Sequence, residues 1–126
     1  MNKQELIRYC LTRTGAVEDF PFGPEPSVMK VGGKMFALIS EDGAASISLK
    51  CDPFEADLLR AQYEAVKPGY HLNKRHWNTV TVDGSVPEQE LLDMIDQSYG
   101  LVVRSLTKAE REKLGAAPAA GSAKRK

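Results

Sequence analysis

The sequence predicts an α+β fold: a two-layer sandwich of helices on an antiparallel sheet, with elements in the order α-β-β-β-α-β-β-α. Three observations predict it. Apolar residues recur at helical spacing in three segments, near the start, the middle and the end of the chain. Between these segments lie short alternating or β-rich stretches, broken by Gly32-Gly33, Asp42-Gly43 and Asp83-Gly84. The 126 residues are enough for one core and hardly two, so the elements must pack on each other.

Residues 3–14 place Leu6, Ile7, Cys10, Leu11 and Thr14 on one helical face, and Gly15 supplies the stop. The stretch Val17 to Pro26 holds three prolines, two phenylalanines and three acids and reads as an irregular connection. Val28 to Val31 and Lys34 to Ser40 are strands joined by Gly32-Gly33. Beyond the turn at Glu41-Asp42-Gly43, Ala45, Ile47 and Leu49 alternate with Ser46, Ser48 and Lys50, the pattern of a half-buried strand closing an antiparallel meander. Asp52 then caps a helix with Pro53 at its first position and Glu55 at its third. That helix is expected to reach Gln62 with Phe54, Leu58, Leu59 and Ala61 facing inward. Tyr63 to Val66 is a short strand ended by Pro68-Gly69, and Trp77 to Val82 is a clearer one closed by Asp83-Gly84. The last long helix opens near Pro87 and buries Leu91, Leu92, Ile95, Tyr99, Val102 and Leu106. Thr107 and Glu110 form a second capping box for a short helix to Leu114. The domain thus spans residues 1–114. Residues 115–126 lack periodic apolar positions, end in Lys124-Arg125-Lys126, and read as a disordered basic tail.

The composition is that of an ordinary globular protein, 42% apolar and 27% charged, with 17 basic residues balanced by 17 acidic ones. The longest apolar run, Met35 to Ile39, is far too short to cross a membrane. A charged N-terminus and two unpaired cysteines, Cys10 and Cys51, imply a cytoplasmic location with reduced thiols. Locally the charges separate. From Ala65 to Val82 there is no acid, while Lys67, Lys74 and Arg75 are basic and His71 and His76 can become so. From Asp83 to Val103 the acids Asp83, Glu88, Glu90, Asp93 and Asp96 stand without a Lys or Arg.

The chemical accent therefore falls on Lys67 and on Tyr70, His71, Asn73, Lys74, Arg75, His76 and Trp77. Cations interleaved with Tyr70 and Trp77 suit a nucleic acid, because cations neutralise phosphates and exposed rings offer stacking planes. Asn73 and Asn78 add hydrogen bonds to phosphates or base edges. A tryptophan that only covers the sheet edge, with solvated cations around it, is the plainer reading of the same residues.

The run Pro68-Gly69-Tyr70-His71-Leu72-Asn73-Lys74-Arg75-His76-Trp77-Asn78-Thr79-Val80 resembles the signature loop of the MmcQ/YjbR family of small bacterial proteins. Pro21-Phe22-Gly23-Pro24 and Ser98-Tyr99-Gly100-Leu101-Val102 support the resemblance, as does the order of elements over residues 1–114. The resemblance implies a fold grouped with the secretion-chaperone-like and frataxin-like sandwiches. It also implies a proposed "double-wing" DNA-binding role, carried over to Tyr70, His71, Asn73, Lys74, Arg75, His76 and Trp77.

Enzyme readings find less support. His71 and His76 are two of the three or four ligands that zinc requires, and Cys51 is the sole thiol plausibly near them. A Cys51–histidine nucleophile needs an orienting third group. Glu18-Asp19 sits in a proline-rich connection where acids are usually solvated, and Gly32-Gly33 joins two strands rather than cradling a phosphate. No catalysis, cofactor or metal is expected. The expected partner is DNA, bound weakly by a monomer or weak dimer. The alternative is a chaperone-like module whose Tyr70, Arg75 and Trp77 meet another protein.

Overall fold

The computed structural model describes residues 1–115; of the tail expected over 115–126, Gly115 instead ends a helix and the rest lies outside the described residues. Helix α1 (Lys3–Leu11) opens with a capping box: the Asn2 side chain accepts from the Glu5 amide and the Glu5 carboxylate accepts from the Asn2 amide, both at 2.9 Å. It ends at Leu11 rather than Thr14, and it buries Leu6, Ile7 and Cys10 while leaving Leu11 exposed. The next segment corrects the expected irregular connection, because Val17–Asp19 form a strand, β1, paired antiparallel with β2 (Ser27–Val31). All three β1 residues are exposed. An edge strand held by backbone bonds and by the Lys30–Asp19 ion pair at 2.9 Å has no buried face, so it leaves no apolar period to read.

Strands β3 (Lys34–Asp42) and β4 (Ala44–Lys50) extend the meander, turning at Gly43 with a φ of +78°. After α2 (Pro53–Gln62), β5 (Val66–Pro68) and β6 (Trp77–Val82) complete one six-stranded antiparallel sheet in the order β1-β2-β3-β4-β6-β5. The fifth strand lies later than the expected Tyr63–Val66 and includes Pro68, tolerated because β5 is an edge. Helices α3 (Glu88–Ser105) and α4 (Lys108–Gly115) follow. The second capping box is present, with Thr107 Oγ1 accepting from the Glu110 amide and the Glu110 carboxylate accepting from the Thr107 amide.

Register assigns the two faces. Ala37 pairs Leu49, and Ile39, Ile47 and Val80 pair across three strands, giving one apolar face. On the other face Leu38, Ser48 and Thr79 align, and Ser40, Ser46 and Thr81 align beside them. Helices α1, α2 and α3 all cover the apolar face. The register slips once: Met29 pairs Ala37 and Lys30 pairs Met35, so Phe36 bulges out of the ladder. Its ring is fully buried and meets Tyr99 of α3 edge-on at 5.4 Å. The Phe36 carbonyl accepts from Ser98 Oγ at 2.6 Å, and the same hydroxyl accepts from the Lys50 amide at 2.9 Å. Ser98 therefore ties α3 to β3 and β4 at one point, between its buried neighbours Ile95 and Val102.

Helix α2 departs from expectation. Phe54 and Leu58 are 70% and 48% exposed, Ala61 is exposed, and Leu59 is half-buried. The face toward the sheet is marked instead by fully buried Ala56 and by Arg60. A small side chain lets this helix approach closely enough for Asn78 Nδ2 to donate to the Ala56 carbonyl at 3.4 Å. Apolar spacing misses a contact made by an alanine and an arginine.

Replacing Ser98 by Ala leaves a buried carbonyl and a part-buried amide without their partner. Urea denaturation is expected to show a loss of about 2–4 kcal/mol. Ser105→Ala, at an exposed residue of the same helix, is expected to stay within about 0.5 kcal/mol of the parent.

Candidate functional site

The loop between β5 and β6 is built on its own polar groups. The Gly69 amide donates to the Trp77 carbonyl at 2.8 Å, and a Cβ at Gly69 would lie 2.7 Å from Trp77 Cβ, so a side chain there would clash. The Tyr70 amide donates to Thr79 Oγ1 at 3.1 Å. His71 has a φ of +59°, the left-handed region, and turns the chain back over the sheet. Asn73 Oδ1 then accepts from the Arg75 amide at 2.9 Å, and the Asn73 carbonyl accepts from the His76 amide at 3.2 Å. Lys74 Nζ donates to the Gly69 carbonyl at 2.8 Å, closing the loop on itself.

Arg60 of α2 fastens this loop to the helical layer. Its Nε donates to Asn78 Oδ1 at 2.6 Å, its Nη1 to Asp57 at 3.4 Å, and its Nη2 to the carbonyls of Trp77, at 3.3 Å, and Lys74. A guanidinium fits here because its planar fork reaches several acceptors at once. The sequence reading did not single out Arg60, which no local pattern marks, and it expected Asn78 to bond a nucleic acid; Asn78 is instead buried, with both ends of its amide held by α2.

The predicted residues consequently divide. Asn73 and Lys74 hold the loop together, and the His76 carbonyl accepts from the Cys51 amide at 2.7 Å. His76 is half-buried. Trp77 corrects an expectation: it is 9% exposed, on a strand position that the Gly69 turn closes over, and offers no free ring for stacking. Lys67, Tyr70, His71 and Arg75 remain accessible. Lys67 pairs Thr79 and so belongs to the hydroxyl-bearing face. Tyr70 is 72% exposed, with its ring 4.0 Å from that of His71, centroid to centroid, at 48°. The Lys67 and Arg75 side chains have no hydrogen-bond or ion-pair partner among the described residues.

Tyr70, His71 and Leu72 form one wall of a groove on the hydroxyl face. Phe22 and Pro26 form the other, and Leu38, Ser40, Ser46, Ser48 and Thr79 make the floor. The groove encloses about 390 Å³, and none of these residues is acidic. Sequence reading missed the opposite wall, although an aromatic between prolines, Pro21-Phe22-Gly23-Pro24, was visible there.

The thiols do not resemble nucleophiles. Burial pushes Cys10 up to about 12. Burial, aided by the carboxylates of Glu55 and Asp52, pushes Cys51 up to about 11. Among the described residues no group of three His, Cys, Asp or Glu is placed to hold a metal ion, and no helix is long and apolar enough to cross a membrane.

The model of the YjbR family matches residues 11–101, which include both walls of the groove and its floor. The chain belongs to the YjbR family. It is 36% identical over 115 residues to the uncharacterized protein YjbR of Escherichia coli K12, covering 90% of this chain and 98% of that one. Against the uncharacterized protein YbdF of Escherichia coli O157:H7 the identity is 44% over 96 residues, covering 75% and 79%. The crystal structure of Deinococcus radiodurans protein DR2400 superposes with a TM-score of 0.84 at 41% identity, covering 90% of this chain and 88% of that one. The family resemblance carried by the loop is therefore correct, and the matched region spans both the loop and the Phe22 segment.

Arg60→Ala is expected to cost about 2 kcal/mol, the scale of hydrogen bonds from a charged donor to part-buried acceptors. Amide exchange at His76 and Trp77 should quicken while Ile39 and Ile47 keep their protection. In the folded protein, alkylation of both thiols should stay slow up to about pH 9, whereas the unfolded chain gains reactivity near pH 8.5. Rapid labelling of native Cys51 at pH 8 would contradict this account of its burial.

Proposed function

We propose that this protein binds DNA weakly and largely without sequence preference, through Lys67, Tyr70, His71 and Arg75 at the loop side of the open sheet face. One observation carries the reading: two cations without protein partners among the described residues, Lys67 on β5 and Arg75 in the loop after it, stand in the same acid-free stretch as an exposed, ring-paired tyrosine. The cations suit phosphates, and the ring suits stacking. The acids Glu88, Glu90, Asp93 and Asp96 belong to α3, which packs on the apolar face, so the sheet stands between them and the hydroxyl face that Lys67, Tyr70 and His71 border. The role is one of binding rather than catalysis, consistent with thiols held protonated by burial.

Lys74 is occupied by the Gly69 carbonyl, so phosphate contacts fall mainly to Lys67 and Arg75. The logarithm of affinity should fall against that of salt with a slope of about −2, and binding at physiological salt should be on the order of micromolar or weaker. Joint reversal of Lys67 and Arg75 to Glu, at exposed positions, is expected to abolish binding and leave the thermal unfolding midpoint in place. Unchanged affinity in that variant, or no binding by the parent at low salt, would remove the DNA reading.

Exposed Phe54 and Leu58, one turn apart on α2, favour a second reading as a protein-interaction module. Such a complex would resist salt and would be lost on joint replacement of Phe54 and Leu58 by Ser, with the double charge reversal leaving it intact.

A further inference from the structure

We propose that the groove between Phe22 and the Tyr70–His71 pair receives unpaired nucleobases, making the surface selective for single-stranded over double-stranded nucleic acid; the proposal rests on the nucleic-acid reading above. The walls are the first support. Phe22 is 63% exposed although it borders a groove, and the Tyr70 and His71 rings stand on the other side. Flat apolar rings on both sides suit a flat heterocycle, and stacking tolerates every base. A volume of about 390 Å³ lies in the range of small-ligand sites.

The floor is the second support. Ser48 Oγ and Thr79 Oγ1 lie 2.7 Å apart, and either can donate to the other. Half-buried Ser46 has a hydroxyl without a hydrogen-bond partner among the described residues. Hydroxyls rotate to donate or to accept, so this floor meets the polar edge of any base without selecting one. Ser40 is committed to Glu25, whose carboxylate is paired with Lys3, and Thr79 Oγ1 also accepts from the Tyr70 amide.

Charge gives the direction of entry. Lys67 neighbours Thr79 on the same face, one strand outward, and places a cation where the backbone of a strand entering the groove would run. Paired bases are closed to this site, because a duplex keeps its ring faces stacked and would have to flip a base out at a cost.

Anisotropy titrations at low salt with three labelled probes test the idea: a thymidine oligomer of about ten nucleotides, within the usual single-strand site sizes, an abasic strand of the same length, and a duplex. The parent should bind the base-bearing strand about tenfold more tightly than either other probe, the scale of one stacked base. Phe22→Ala and Tyr70→Ala, both at exposed positions, should each remove that preference, and Phe22→Ala should leave abasic affinity within about twofold. Equal binding of all three probes by the parent, or a preference that survives both substitutions together, would overturn the groove assignment and leave the DNA reading standing. Failure of every probe to bind would overturn both.

Discussion

The apolar stripe of α3 must be buried, and the sheet offers one face that can receive it. Leu91, Met94, Ile95 and Val102 meet Ile39, Ile47, Leu49 and Val80, and Ser98 fixes the height at which they meet. That height depends on the bulge at Phe36. Inserting one unpaired residue into β3 turns a carbonyl out of the ladder toward the helix and drives an aromatic ring into the core. With α1 and α2 on the same side, all the helical cover is spent on one face. The opposite face is left with serines, threonines and two bordering loops, as an antiparallel sheet permits.

The β5–β6 loop shows how a charge-rich motif divides its labour. Of its polar side chains, Asn73 and Lys74 bond to the loop's own backbone, and Arg60 reaches in from α2 to hold two of its carbonyls. Once these groups are satisfied internally, the turn is rigid enough to hold His71 in a left-handed conformation and to keep Tyr70 standing out from the surface. Trp77 is the ballast beneath. Its burial under Gly69 explains why a bulky aromatic and a glycine eight residues earlier occur together.

Much of the fold was legible because the signals were local. Tight glycine turns, the Asp52-Pro53 helix start, the Thr107–Glu110 box and the stripe of α3 each depend on neighbours in sequence. What was hidden depended on distant partners. Strand β1 exists through backbone pairing with β2 and the Lys30–Asp19 ion pair, and the inward face of α2 is set by the distance to Asn78 rather than by hydrophobicity. The site was half legible. Charge clustering located Lys67, Tyr70, His71 and Arg75, yet nothing in the spacing distinguishes Lys74, whose ammonium serves the loop, from Arg75, whose guanidinium stands free of protein partners. Phe22 escaped because it is nearly fifty residues away in the chain and shares only the groove.

The outermost strands decide the direction from which anything can approach. On β1 the chain presents Glu18 and Asp19, and on β5 it presents Pro68, which has no amide hydrogen to offer. Both rims are three residues long. Short, charged or donor-poor rims make poor templates for another strand, so sideways growth of the sheet, by a second copy or an extended peptide, is disfavoured. Recognition is left to the broad side, where side chains rather than main-chain ladders make the contact. A surface of that kind can release what it holds quickly, since no cooperative zipper has to be undone.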